Sequence, residues 1–302
     1  MPVASYLIIF VLQLQINPLK ISTLNQTYYY VNDQFIPSED AMLHVSDLAL
    51  QRGYGIFDFF KTLKGHPVCL EDHLERFYQS AAAMRLDPGK SKEELRSVLF
   101  SLMEKNRIAD SGIKITLTGG NSENGYSLGT PNLVITQIAV HMNHAFDQTG
   151  IRLMTYPHLR QLPAVKTTDY LMAIWLQPYI AQNKADDVLY HQNGILTETP
   201  RANIFFVTQN NTILTPQHNI LQGITRKQVL NLVHNKFEVM IRDISLQETE
   251  LAKEAFITST TKQVMPVVSI DGKQIGNGKP GAITEAIYQL LIQSQYGLEC
   301  KP

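Results

Sequence analysis

Between two apolar runs in residues 187–197 stands Asn193–Gly194, a pair that accepts the positive φ of both central positions of a tight hairpin turn. Two strands must therefore run antiparallel at this point. The same signal recurs elsewhere. Residues 28–35 alternate and turn at Asn32–Asp33, and the apolar runs 204–207 and 212–214 flank Asn210–Asn211. Further β runs are expected at 113–118, 133–139 and 255–258, with another strand opening at Ile151.

Helical spacing interrupts these strands. Leu74, Phe77, Ala81 and Met84 recur at helical intervals after Glu71, and Leu95, Val98, Leu99, Leu102 and Met103 do so within 91–106. Residues 168–184 read as a helix that Pro178 kinks or ends. Thr225 reads as the cap of a helix over 226–235, and 283–294 as a closing helix. A chain of 302 residues with this mixture is expected to make two domains of the α/β (α+β) class. The polar, aperiodic stretch 141–150 is the expected linker. The division is then an N-terminal extension over 1–24, a small α/β domain over 25–148 and a larger domain over 149–302.

A net charge of −1 leaves no electrostatic footprint for nucleic acid or for an anionic membrane surface. The apolar run 3–16 is too short to span a bilayer, and no basic residue precedes Lys20 to open a secretory signal. It is expected to be an extension ahead of the first domain, with a weak signal peptide as the alternative. Cys69 and Cys300 are far apart without metal-ligand spacing, so a cytoplasmic, disulfide-free, metal-free protein is expected.

The chemistry concentrates between Lys166 and Arg226. Lys166 follows a short apolar run and precedes a helical pattern, where an amine at a cleft edge is held and partly desolvated. Such a lysine is a candidate Schiff-base nucleophile. Glu198 follows the hairpin, and Gly223–Ile224–Thr225 opens a helix whose free amides suit a phosphate. Arg76 lies three residues from His73 on one side of its helix, and its guanidinium offers a planar fork to phosphate oxygens. Each has an ordinary reading alone: a solvated lysine, an acid at a hairpin end, a helix cap, a surface ion-pair partner. Lysine, carboxylate and phosphate-ready helix start together are what a pyridoxal phosphate site needs.

In content and order these segments resemble the class IV aminotransferases. These fold-type IV pyridoxal phosphate enzymes include D-amino acid aminotransferase, branched-chain aminotransferase and aminodeoxychorismate lyase. The resemblance runs from about Tyr28 to the C-terminus. It rests on Gly53-x-Gly55-Ile56-Phe57-Asp58, where the family usually has glutamate in place of Asp58, on His73-x-x-Arg76, and on Thr197–Glu198 followed by Asn203–Ile204–Phe205.

The resemblance implies a two-domain fold with a β-barrel-like sheet in the larger domain and pyridoxal 5'-phosphate between the domains. Lys166 is implied as the catalytic lysine that carries the cofactor, Glu198 as the partner of its ring nitrogen, and Asn203 as part of the same match. Arg76, the amides of Ile224 and Thr225 and the Thr260 hydroxyl are implied as phosphate ligands. Thr261 would lie nearer the substrate carboxylate. Asn124 and Tyr126 replace the arginine and histidine with which D-amino acid aminotransferases hold that carboxylate, so Tyr126 and Arg160 are the substituted candidates. The implied reaction moves an amino group from a branched-chain L-amino acid or a D-amino acid to a 2-oxo acid, in a homodimer. Lyase chemistry on aminodeoxychorismate is an alternative, although Phe59 stands where lyases carry a threonine. A retired member that only binds the cofactor or a partner protein is another.

Overall fold

A computed structural model describes residues 26–141 and 145–297, so the expected N-terminal extension lies outside the described residues. Among these residues two sheets organise the chain. The first has six strands: β1 (Tyr28–Val31), β2 (Gln34–Pro37), β3 (Gly55–Leu63), β4 (His66–Pro67), β5 (Ser111–Thr118) and β6 (Leu133–Ala139). They run in the order β2-β1-β6-β5-β3-β4, with every neighbouring pair antiparallel. Asn32 and Asp33 take φ of 43° and 72°, so the first hairpin turns where expected.

A short helix, α1 (Leu48–Arg52), and two longer ones, α2 (Leu70–Ala83) and α3 (Lys92–Asn106), accompany this sheet. Ser91 and Glu94 form a reciprocal capping box that starts α3. Leu74, Phe77, Leu95 and Leu99 bury fully against Ile56, Phe60, Ile113 and Ile115. Each such side chain contributes roughly 2 kcal/mol by leaving water. Because strand side chains alternate, the opposite face of β3 presents Phe57 and Phe59, with Thr116 and Lys114 directly across on β5.

The second sheet has ten strands: β7 (Ile151–Pro157), β8 (Asp187–Gln192), β9 (Ile195–Leu196), β10 (Glu198–Thr199), β11 (Ala202–Val207), β12 (Ile213–Thr215), β13 (Val239–Ile241), β14 (Glu254–Ser259), β15 (Gln263–Ile270) and β16 (Lys273–Gln274). The main path is β13-β12-β11-β14-β15-β7-β8-β9, with β10 on β11 and β16 on β15. Leu196 donates its amide to the Ile244 carbonyl and Ile195 pairs with Ser245, just past β13. The two ends of the sheet thus approach one another, and the sheet curls as the expected β-barrel-like form requires. Asn193 and Gly194 turn β8 into β9 with φ of 51° and 82°.

Helices α4 (Leu171–Trp175), α5 (Gln177–Gln182), α6 (Ile224–Val233) and α7 (Ala282–Tyr296) complete the chain. Strand β11 is buried on both faces. Ile204 and Phe206 fill the curl of the sheet, while Phe205 and Val207 pack outward under α6 and α7 with Val229, Ile287 and Leu291.

Three local expectations are corrected. The single helix over 168–184 is two short helices meeting at the buried Leu176, with Pro178 in the first turn of α5, where its missing N–H forfeits no helical bond. Thr225 does not cap α6; Gly223 holds the cap position and Thr225 lies buried in the first turn. Cys69, expected as a thiol, is disulfide-bonded. No helix among the described residues is long and apolar enough to cross a membrane.

Candidate active site

Residues from both sheets line a cleft of about 490 Å³, within the range of small-molecule and cofactor sites. Its construction begins at an open sheet edge. Strand β4 pairs only with Thr62 and Leu63, so the start of β3 lacks a strand neighbour on that side. The segment after Val165 fills the gap: the Phe57 amide donates to the Lys166 carbonyl at 2.9 Å, and the Thr168 amide donates to the Gly55 carbonyl at 2.9 Å. Lys166 is thereby fixed to sheet backbone, with its Nζ 4.6 Å from the centre of the Phe57 ring. The side chain keeps an open face on the cleft. Burial of its amine, helped by the nearby Arg76 charge, brings its pKa down from the ordinary lysine value to about 8.

Glu198 leaves β10 into the floor of the cleft, where only 5 % of the residue is exposed. Oε1 accepts from Arg160 Nε at 3.1 Å and Nη2 at 2.8 Å; Oε2 accepts from the Leu221 amide at 3.0 Å and Asn203 Nδ2 at 3.2 Å. Burial raises the carboxyl pKa above its usual value, against the pull of Arg160. Asn203, paired across from Glu198 on β11, also donates to the Leu221 carbonyl at 2.8 Å. Gly223 is required beside it, because a Cβ at 223 would stand 2.1 Å from Asn203 Oδ1.

At the other end, Asp58 is completely buried behind Arg76. It accepts from Arg76 Nε at 2.8 Å and Nη2 at 2.9 Å, and from His73 Nδ1 at 2.6 Å. Burial pushes the Asp58 pKa up, but the Arg76 charge and the His73 contact outweigh it and hold the carboxyl below the ordinary range. His73 is lowered by its own burial, so a neutral ring donates through Nδ1. Arg76 Nη1 lies 3.5 Å from the Gln222 carbonyl, which brings the guanidinium to the start of α6. That helix has no acidic residue in its first turn and no side-chain cap, so its first amides remain available to an anion. The turn at Thr258–Thr261 lines the same cleft.

The structure therefore brings Arg76, Lys166, Glu198, Asn203, Ile224, Thr225, Thr260 and Thr261 to one cavity. The two remaining substrate candidates stand differently. Tyr126, on the loop between β5 and β6, is 87 % exposed and does not line this cleft. Arg160 reaches the cleft, but Glu198 and the carbonyls of Pro163 and Val165 take up its guanidinium. Tyr170 and Lys114 are among the cleft residues that were missed. Tyr170 packs its ring 5.9 Å from that of Phe57, and Lys114 lines the wall from β5. Alternation along β5 marks Lys114 as outward from the helical core; only the register with β3 says what lies there.

Comparison with known proteins gives the following. A family model described as Amino-transferase class IV matches residues 55–270. D-alanine aminotransferase of Staphylococcus haemolyticus is 29% identical over 271 residues, covering 87% of this chain and 96% of that protein. Branched-chain-amino-acid aminotransferase-like protein 1 of Arabidopsis thaliana is 32% identical over 271 residues, covering 85% of this chain and 49% of that protein. The fold is similar to that of the branched-chain amino acid aminotransferase from Escherichia coli, with a TM-score of 0.81 over 90% of this chain and 95% of that one, at 24% identity.

Proposed function

Because this chain belongs to the class IV aminotransferases, enzymes that move amino groups with pyridoxal phosphate, we propose that Lys166 is its catalytic lysine and that the surrounding cleft holds the cofactor. The observation that carries this reading is the placing of the Lys166 amine, with a pKa of about 8, in one cavity with an anion pocket and a buried carboxylate. The donor set fits the cofactor. Arg76, the amides of Ile224 and Thr225 and the Thr260 hydroxyl would hold the phosphate, and Glu198 would face the ring nitrogen. The four lone-pair sites of Glu198 are already filled, so its longest donor, Asn203 Nδ2, would give way to a ring N–H while keeping its bond to the Leu221 carbonyl.

When bound, pyridoxal phosphate supplies a carbonyl that exchanges amines and a ring that withdraws electrons from the substrate Cα. Lys166 contributes the amine that competes for that carbonyl. Roughly a tenth of it is neutral at pH 7, far more than for an ordinary lysine. As a free amine, Lys166 Nζ would be the base that takes the substrate Cα proton. Arg160 offsets the burial that disfavours the Glu198 carboxylate, and Asp58 keeps Arg76 aimed at the start of α6.

The donor is assigned to the small or branched apolar amino acids named for the relatives, D-alanine or the branched-chain amino acids. Phe57, Phe59 and Tyr170 give the cleft an apolar wall that suits such side chains. Phe59 brings no hydroxyl to that wall, which speaks against the lyase reaction. The chain is also read as a homodimer. Met42, Leu43, Val45, Tyr126 and Leu128 are exposed on two loops joined by the Asp47–Asn121 bridge, an apolar patch of the kind a second copy covers.

The test is spectroscopic. Purified protein loaded with pyridoxal phosphate is given L- and D-amino acids one at a time. Loss of the visible band, reversed by a 2-oxo acid, identifies the donor and its hand. A band that no amino acid alters, with pyruvate and 4-aminobenzoate released from aminodeoxychorismate, would replace this reading with the lyase.

A further inference from the structure

An aminotransferase must hold the carboxylate of its substrate as well as exchange the amine, and most cations of this cleft are already committed. Arg76 is paired with Asp58, and Arg160 with Glu198. Arg226 is turned away to Thr215, Gln222 and the Pro216 carbonyl. Arg201 also lines the cleft, but its guanidinium lies 3.9 Å from the Asp187 carboxylate. Lys61, though buried without a hydrogen-bond partner, is not in the cleft wall; the Phe59 ring leans over Gly112, the residue opposite Lys61.

Lys114 is different. It lines the cleft, and among the described residues neither a carboxylate nor a carbonyl takes its amine. Its Nζ stands 4.8 Å from the centre of the Phe57 ring, the same ring whose centre lies 4.6 Å from Lys166 Nζ. One aromatic side chain therefore gathers the amine that reacts and a second, unpaired ammonium group. Sheet register fixes this, since Lys114 pairs with Phe59 and Thr116 with Phe57 on a single face.

We infer that Lys114 is the specificity-determining residue that clamps the α-carboxylate of the amino acid and of the 2-oxo acid. An ammonium on a four-carbon stem with three rotatable donors suits a carboxylate set beside an amine at Lys166. The cation–π contact with Phe57 holds the group at the cleft when no substrate is present. This assignment rests on reading the cleft as an aminotransferase site.

The test compares the cofactor-loaded wild type with Lys114→Met and Lys114→Arg. Losing a charge-assisted bond raises KM for the amino acid and for the 2-oxo acid roughly ten- to a hundredfold, with a smaller change in kcat. Lys114→Arg recovers most of the affinity. Binding of butanoate, read from its perturbation of the cofactor spectrum, weakens in Lys114→Met by the same factor. Unchanged KM values and unchanged butanoate binding in Lys114→Met would overturn the assignment. So would a loss confined to dicarboxylic substrates, which would place Lys114 at the substrate side chain. If the wild type turned over no amino acid, the aminotransferase reading would fall, while butanoate binding would still decide the role of Lys114.

Discussion

Asp58 takes the Nε and Nη2 hydrogens of Arg76 on its two oxygens, at 2.8 and 2.9 Å, so the guanidinium reaches the cleft with one edge already occupied. The pair is a mount for the free edge, which faces Gln222 and the first turn of α6. The aspartate makes both of these bonds and a third with His73. Asp58→Asn keeps the shape but loses the charge that aims Arg76. Affinity for pyridoxal phosphate should fall about tenfold or more, given the usual worth of charge-assisted bonds. Equilibrium titration of the visible band against cofactor concentration checks this; an unchanged dissociation constant would remove Asp58 from any role in phosphate binding.

Gly223 offers a second test at a position where backbone angles are no obstacle, since its φ of −67° suits any residue. The obstacle is Asn203, whose Oδ1 would lie 2.1 Å from an added Cβ. Gly223→Ala must turn Asn203 away and break its bonds to Glu198 and to the Leu221 carbonyl. A loss of about 1–3 kcal/mol is expected from such overpacking. It should appear as a lower thermal midpoint together with weaker cofactor retention. Asn203→Ala in the same background should recover part of the stability by vacating the contact.

How much of this was legible in the sequence depends on whether the information is local. Asn193–Gly194 and Asn32–Asp33 declare their turns because positive φ is a property of those residues. The inward faces of α2 and α3 follow from spacing alone. Lys166, Glu198, Arg76 and the start of α6 were named together through a family pattern, and one cavity holds them all. What stayed hidden is set by pairing between distant segments. Lys114 reaches the cleft only because β3 and β5 pair in one register, and Arg160 serves Glu198 only because the segment after β7 meets β10. The position of Tyr126 is likewise non-local, since its loop is tied to the chain before α1 by the Asp47–Asn121 bridge, which no local pattern encodes.

Arg160 and Glu198 form a buried charged pair on the cleft floor, with side chains 18% and 7% exposed. Arg160→Met would leave Glu198 buried with only Asn203 and the Leu221 amide as donors. Breaking such a pair costs about 3–5 kcal/mol, less some relief because the acid can protonate. The carboxyl pKa is already raised by burial and would rise further without the guanidinium. Since a carboxyl with a raised pKa ionises only as pH rises, activity in Arg160→Met should be depressed most at low pH and recover toward alkaline pH. A pH–rate profile parallel to wild type would refute this account of the pair.

The Lys166 pKa of about 8 comes chiefly from burial, with Arg76 adding to it. Protonated amine is not nucleophilic, so the rate of cofactor capture should rise with pH, reach half its maximum near 8 and level off above about 9. An ordinary lysine would still be climbing at pH 10. Borohydride trapping of pyridoxal phosphate at timed intervals, with the modified peptide identified by mass, reads the rate at each pH. Lys166→Ala should give no labelled peptide at this position. Asp58 works in the opposite direction to Arg76, its negative charge favouring the ammonium. Arg76→Met should therefore move the midpoint upward, because a positive neighbour is lost while the carboxylate stays. A midpoint that stayed near 8 in that variant would assign the lowered pKa to burial alone and leave Arg76 with the phosphate as its whole task.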